Sequence, residues 1–365
     1  MNADFAQVIA ASDEDRRGLF LLAAGALGTT LQNIEKDFWV CWALDVLFHG
    51  LLPGSPRLLF KGGTSLSKGF GLISRFSEDI DVTVFRDDLG ENASLDALEA
   101  MSGKKRQVRL DAIKAKASAY INGPLREAFA AILLETMAAA GVAEDRFRVE
   151  PDPEDQGAQT LLFWYPSVVA DPDAYVRSAV KIESGAKSAL DPHTLRPIAP
   201  YIQGHAPDLD LNVPDVTIVD AERTFWDKVI ILHGLRGWFE RRGDLYQGGQ
   251  RISRHYYDVY RMLGTEVGHR AISDPELGAD CVRHARLFFN RPDFDLASAA
   301  PGTFALAPTS AMARALAADY RAMTLMIFGD VPDFREMLVA VEQLEERLNA
   351  IPPASGAPEP EVTAD

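Results

Sequence analysis

Between Leu58 and Phe85 the order of residue types leaves few folds open. Leu58–Phe60 reads as a short strand running into Lys61-Gly62-Gly63-Thr64-Ser65, with a short helix following around Leu66–Phe70. From Asp79 onward the residues alternate. Asp79, Asp81, Thr83 and Phe85 point one way, and Ile80, Val82 and Val84 the other, which is the period of a half-buried strand. Glycines at the exit of a strand let backbone approach a ligand closely, and the next helix turns unpaired N–H groups toward the same space. A triphosphate is the natural occupant, with Ser65 adding a hydroxyl. The pattern is not a P-loop, because GxxxxGK[ST] is absent even though Lys68 is near.

Residues two apart on a strand share a face, so Asp79 and Asp81 are expected to present both carboxylates to one point. Carboxylate, phosphate and water oxygens suit Mg²⁺, with Mn²⁺ as a substitute. Such an ion would neutralise a triphosphate, orient its α-phosphorus and lower the pKa of an attacking hydroxyl. Taken alone, the pair reads more readily as two exposed strand acids or as a turn. An EF-hand is excluded, since the DxDxDG pattern does not continue through Thr83. Glu183, in Val180-Lys181-Ile182-Glu183, alternates like a strand and is the candidate third carboxylate; a surface acid would look the same.

Elsewhere the chain divides into a mixed-sheet part and a helical part, an α/β (α+β) organisation. Residues 1–50 are expected to form N-terminal helices packing on the core, and 51–215 the α/β domain. Residues 216–351 would form a helical C-terminal domain and 352–365 a disordered tail. Within these, a helix is expected over Asn33–Phe48, with Asn33 as its cap and Glu35, Lys36 and Asp37 in its first turn. Ser102–Gly141 reads as helical, with Pro124 starting a second helix. Phe147–Val149, Thr160–Tyr165 and Ala179–Glu183 read as strands. Leu190–Pro214, rich in proline, reads as an ordered loop over the site, and Ala221–Leu235 and His255–Leu263 as helices.

Acidic residues number 53 against 37 basic, a formal charge of −16. That balance opposes sequence-blind nucleic-acid binding, which runs on counterion release by Lys and Arg, and leaves room for a local basic groove. Lys104–Arg109 and Arg236–Arg242 are the basic runs available for it, with Trp238, Phe239 and Tyr246 able to stack on bases; solvated helix faces are the alternative. Two isolated cysteines, Cys41 and Cys281, point to a reduced, cytoplasmic protein. The acidic N-terminus lacks signal-peptide character, and no run approaches the ~18 apolar residues of a membrane span. HExxH and GxSxG are absent.

Four blocks now stand in one order: IEKDFWVCWAL, KGGTSLSKGFGLISRFSEDIDVTV, ERTFWDKVIILHG and SRHYYDVYRM. Together they resemble the AbiEii/AbiGii nucleotidyltransferase toxin family, within the polymerase-β-like nucleotidyltransferase superfamily. The resemblance implies a mixed sheet with flanking helices and a helical C-terminal domain. It also implies the toxin of a toxin–antitoxin or phage-defence pair, with a cognate antitoxin and no membrane. The implied reaction moves a nucleoside monophosphate from an NTP to an RNA acceptor, tRNA in some relatives. A protein hydroxyl as acceptor, or a non-catalytic nucleotide-binding scaffold, are the alternatives.

By position, Gly62, Gly63, Thr64 and Ser65 match the phosphate-side motif, and Asp79 and Asp81 the metal pair. Lys228 matches the lysine that holds the triphosphate, and Asp258 the acid of the last motif. On an amphipathic helix Lys228 is expected to reach outward as a point charge, while Val229, Ile230 and Leu232 face the core. Asp258 is expected to orient Lys228, Arg254 or the acceptor hydroxyl. Arg254 and His255 are candidate contacts to nucleotide or acceptor.

Overall fold

The alternation that starts at Asp79 places that segment near the middle of a seven-stranded mixed sheet. In this computed structural model the strands are β1 (Leu58–Lys61), β2 (Asp79–Val84), β3 (Arg148–Pro151), β4 (Thr160–Trp164), β5 (Ala179–Glu183), β6 (His193–Ile198) and β7 (Val213–Val219). Their spatial order is β3-β4-β5-β2-β1-β7-β6. β2 runs antiparallel to β1 and parallel to β5, and β1 runs parallel to β7. Residues 1–77, 79–169, 178–246 and 251–351 are described. Glu78 and the expected tail from Pro352 lie outside them.

The described residues group into two units, those of 1–224 with 326–331, and those of 225–325 with the described residues from Pro332 on. In the first, helices α1 (Asp4–Ala10), α2 (Asp13–Leu27) and α3 (Leu31–Asp45) precede the sheet. α4 (Gly62–Lys68) joins β1 to β2, and α5 (Leu95–Glu99), α6 (Gly103–Tyr120) and α7 (Arg126–Ala139) join β2 to β3. Ile80, Val82 and Val84 are buried, as the alternation requires. On the same side of the sheet, Trp39 and Trp42 of α3 pack on Phe163 of β4 at ring separations of 5.9 and 5.2 Å. Phe163 is paired with Val180, so its side chain stands with Ile80 and Ile182, on the face opposite Asp79 and Asp81. One face is therefore an aromatic and aliphatic core, and the other is left for polar groups.

Four local expectations change. Leu190–Pro214 is not a loop: it holds β6 and the start of β7, which pair antiparallel. β6 is the outermost strand, and its ladder is irregular between Arg196 and Ile198, so Pro197 sits where a missing N–H removes no central hydrogen bond. Thr30, not Asn33, caps α3, its side chain accepting from the Asn33 N–H at 3.2 Å. Pro124 lies inside a π-helical turn, Ile121–Leu125, that carries α6 into α7, a wider turn in which the chain absorbs the absent N–H. The glycine motif belongs to α4 itself, which begins at Gly62.

In the second unit, α8 (Ala221–Arg242, its first turn in the first unit) runs beyond the expected Leu235. It is followed by α9 (Ser253–Leu263), α10 (Glu266–Ile272), α11 (Pro275–Phe288), α12 (Ser310–Met323) and α13 (Phe334–Asn349). Three- and four-residue spacing buries Tyr256, Val259 and Met262 of α9 and Met337, Val341, Leu344 and Leu348 of α13. No helix among the described residues is long and apolar enough to cross a membrane.

Candidate active site

The polar face of the sheet carries two rows of charge. Lys61, Asp81 and Glu183 are register partners across β1, β2 and β5, and one step along the strands Asp79 stands beside Lys181. Directly paired residues project to the same side, so these five side chains share one surface. Asp79 and Asp81 are both half-buried. Lys61 Nζ lies 4.0 Å from Asp81 Oδ1. Lys181 Nζ lies 3.1 Å from Glu183 Oε1 and 3.7 Å from Asp152 Oδ2. Burial opposes the Lys181 charge, but Glu183 first, then Asp79 and Asp152, outweigh it and hold the ammonium above the usual lysine range.

The glycine pair fits against this surface. Gly62 has φ +80°, a left-handed conformation open to glycine, and a β-carbon there would stand 2.1 Å from Asp81 Oδ2. At Gly63 a β-carbon would stand 2.5 Å from Arg75 Nη2 and 3.2 Å from Ser77 Oγ. Gly62 is thus demanded both by its φ and by Asp81, whereas at Gly63 a side chain would have to displace the Arg75 guanidinium. Arg75 itself is buried. Nothing in Ser74-Arg75-Phe76 marks a buried guanidinium, so the residue carries no local signal.

Thr64 and Ser65 are both buried. Thr64 Oγ1 donates to the Asp79 carbonyl at 2.6 Å and lies 2.7 Å from Ser77 Oγ, tying the first turn of α4 to the entry of β2. Ser65 Oγ donates to the Gly62 carbonyl at 2.9 Å. In this conformation both hydroxyls hold the bend; the groups they were expected to offer a phosphate are engaged within the protein.

Behind the bend sits a pair that the capping interpretation missed. Asp37 and Lys68 form an ion pair, both side chains buried. Asp37 Oδ2 also accepts the Tyr201 N–H at 2.6 Å, and Lys68 Nζ stands 3.3 Å from the centre of the Tyr201 ring. Although burial alone would lower it, the Lys68 pKa is raised, chiefly by the Asp37 charge. Glu35 is also buried, accepting from Val168 N–H and Ser167 Oγ at 2.6 Å each. Burial raises its pKa against those donors. Glu35, Lys36 and Asp37 therefore lie beyond the first turn of α3, which starts at Leu31, and all three are buried.

In the second unit Lys228 of α8 and Asp258 of α9 form an ion pair of 2.7 Å, their side chains 7% and 0% exposed. Lys228, one of the partners expected for Asp258, is in contact with it. The expectation that Lys228 reaches outward is corrected: a charge this deeply placed needs a counter-charge, and α9 supplies it. Arg254 and His255, earlier on α9, are half-buried. The run Arg236–Arg242 is ion-paired, Arg236 to Glu240, Arg241 to Asp295 and Arg242 to Asp293. Trp238 and Tyr246 pack edge to face on each other at 5.0 Å and on Phe294. In the first unit Lys104 and Lys105 are exposed, while Arg109 is held by Glu91.

A divalent ion at Asp79 and Asp81 would meet oxygen donors only, beside a glycine whose missing side chain leaves the carboxylate clear. That donor set suits Mg²⁺. Among the described residues no three His, Cys, Asp or Glu side chains are gathered as a metal cage. Glu183 is next to Asp81 in register, but its carboxylate is turned to Lys181.

The family model described as "Nucleotidyl transferase AbiEii toxin, Type IV TA system" matches residues 45–340. No curated protein matches the chain. Among solved structures, MenT4, a nucleotidyltransferase toxin from Mycobacterium tuberculosis H37Rv, is similar at a TM-score of 0.41 and 16% identity, over 90% of this chain and 97% of its own.

Proposed function

Because the chain belongs to the AbiEii nucleotidyltransferase toxin family of type IV toxin–antitoxin systems, we propose that it transfers a nucleoside monophosphate from an NTP to an RNA acceptor, with tRNA favoured, using Mg²⁺ held by Asp79 and Asp81. The observation that carries this is the Asp81 carboxylate seated over the bare Cα of Gly62. It joins the glycine bend and the paired aspartates into one surface, with Lys61 and Arg75 beside them. An antitoxin partner follows from the family.

When bound, the ion would neutralise the polyphosphate and lower the pKa of a coordinated hydroxyl; Mn²⁺ would use the same ligands. The protein's part is positional. Asp79 and Asp81 fix the charge that the phosphates must meet, and the bend lets them come close to the backbone at Gly62 and Gly63. In the reaction an acceptor oxygen bonds to the α-phosphorus, the bond from that phosphorus to the β-phosphate oxygen breaks, and pyrophosphate leaves. Lys228, oriented by Asp258, is assigned a phosphate contact, and Arg254 a nucleotide contact. The acidic total and the ion-paired arginines of α8 favour a small acceptor contact, with Lys104 and Lys105 the exposed cations of the first basic run.

The test uses the protein with each α-labelled NTP in turn, Mg²⁺ and total tRNA. Label in RNA with at least one NTP is the expected result. Label in a protease-sensitive band and none in RNA would move the acceptor to a protein hydroxyl. No transfer with any of the four, by folded protein that still arrests growth, would overturn the transferase assignment.

A further inference from the structure

We propose that Lys181 is a positioning residue of this site: its ammonium holds the Glu183 carboxylate on the β5 side, so that a metal is bound by Asp79 and Asp81 without a third protein carboxylate. The proposal rests on Asp79 and Asp81 being the metal pair.

Its basis is the two-residue period of β5. Lys181 and Glu183 project to the same face, in register with Asp79 and Asp81 respectively. A third acid thus arrives beside the pair together with its own cation. Lys181 Nζ is 3.1 Å from Glu183 Oε1, and its other contact, 3.7 Å away, is the buried carboxylate of Asp152 just after β3. Asp152 is itself fixed, accepting the Glu154 N–H at 2.9 Å. The lysine is therefore tethered at one end by Asp152, and Glu183 is tethered to the lysine.

Two consequences follow for a metal. Without Lys181 the surface would bring Asp79, Asp81, Glu183 and Asp152 together with one cation fewer, and like charges this close repel. The lysine offsets that repulsion before any ion arrives. It also competes with the ion, since a fixed positive charge beside a carboxylate pair weakens the pull on a second cation. Lys181 would thus lower the affinity for the bare ion in two ways, by its charge and by holding Glu183 away, and only the second depends on the Glu183 carboxylate.

The experiment titrates the full-length protein with Mn²⁺ alone, without nucleotide, and follows free Mn²⁺ by electron paramagnetic resonance. The variants are Lys181→Met, Lys181→Gln, Lys181→Arg, Glu183→Gln and the double Lys181→Met/Glu183→Gln, with Asp79→Asn and Asp81→Asn as controls. Lys181→Met and Lys181→Gln should bind Mn²⁺ at least about threefold more tightly than wild type, by loss of the competing charge and release of Glu183. Lys181→Arg should match wild type, and Glu183→Gln should stay within about twofold of it. The double variant should lose part or all of the gain. Glu183→Gln weakening Mn²⁺ as much as Asp81→Asn would make Glu183 a resident ligand and overturn the proposal. So would neutral Lys181 variants, folded as judged by melting, that bind no more tightly than wild type. Unchanged binding in Asp79→Asn and Asp81→Asn would instead remove the metal pair, and the proposal with it.

Discussion

The Cα of Gly62 lies beneath the carboxylate of Asp81, so near that a β-carbon there would stand 2.1 Å from Oδ2. The glycine motif and the paired aspartates, separate features in the sequence, are therefore two halves of one contact. Lys61, the residue before the glycine, pairs in register with Asp81 across β1 and β2. A side chain at Gly62 would displace the acid by which the site is defined.

Gly62→Ala should therefore lose transfer activity by at least about a hundredfold, as expected when a catalytic group is misplaced by an ångström. Gly71→Ala is the comparator. Gly71 also has positive φ, +63°, but a β-carbon there meets nothing within 4 Å. Both variants should be destabilised by about 1–2 kcal/mol from backbone strain, yet Gly71→Ala should keep its activity. Melting curves and labelled-NTP turnover on both proteins check this. Equal activity in the two would show that the contact with Asp81 is not needed.

The buried Lys228–Asp258 pair predicts a different pattern. Lys228→Met removes the ammonium paired with the buried Asp258 carboxylate, at a cost of about 3–5 kcal/mol. Adding Asp258→Asn should recover part of that stability, because the buried negative charge is gone. It should not recover use of NTP, since the cation assigned to phosphate is still missing. Thermal melts and KM for NTP on the single and double variants separate the two effects. A double variant with wild-type KM would remove Lys228 from the site.

Several of these relationships were readable along the chain and several were not. The alternation in β2 was plain because one of its faces is charged and the other buried, and the same period picked out Glu183. Its neighbour Lys181, two residues earlier, went unassigned, since strand spacing does not say which carboxylate a lysine will choose. The local rule for helix starts accounts for Glu35 and Asp37 only as first-turn acids. Their actual partners, Val168, Ser167, Lys68 and Tyr201, lie on other elements and leave no local trace. Lys228 was placed outward for the same reason, its partner being on the next helix. β6 was hidden by its prolines, which an edge strand tolerates and a central strand does not.

Asp155 gives a pH-dependent prediction. Burial pushes its carboxyl up, but the Gln159 N–H, Thr160 Oγ1 and Gly157 N–H, at 2.7–2.8 Å, outweigh burial and leave it below the usual carboxylate range. A carboxylate with a depressed folded pKa contributes stability that is present above its unfolded value and lost as pH falls through the folded one. The turn between β3 and β4, which carries Asp152, should therefore weaken below about pH 4. Urea midpoints at pH 5 and pH 3 should fall further for wild type than for Asp155→Asn. Parallel losses in both proteins would remove Asp155 as the cause.

The most direct measurement of the central claim is transfer of α-labelled nucleotide to RNA by wild type and Asp81→Asn, side by side, with Mg²⁺ and with EDTA. A half-exposed strand acid contributes little to folding, so the variant should melt within a few degrees of wild type. The account predicts label in RNA from wild type with Mg²⁺, and none from Asp81→Asn or from either protein in EDTA. Transfer by Asp81→Asn at the wild-type rate, or by wild type undiminished in EDTA, would contradict it.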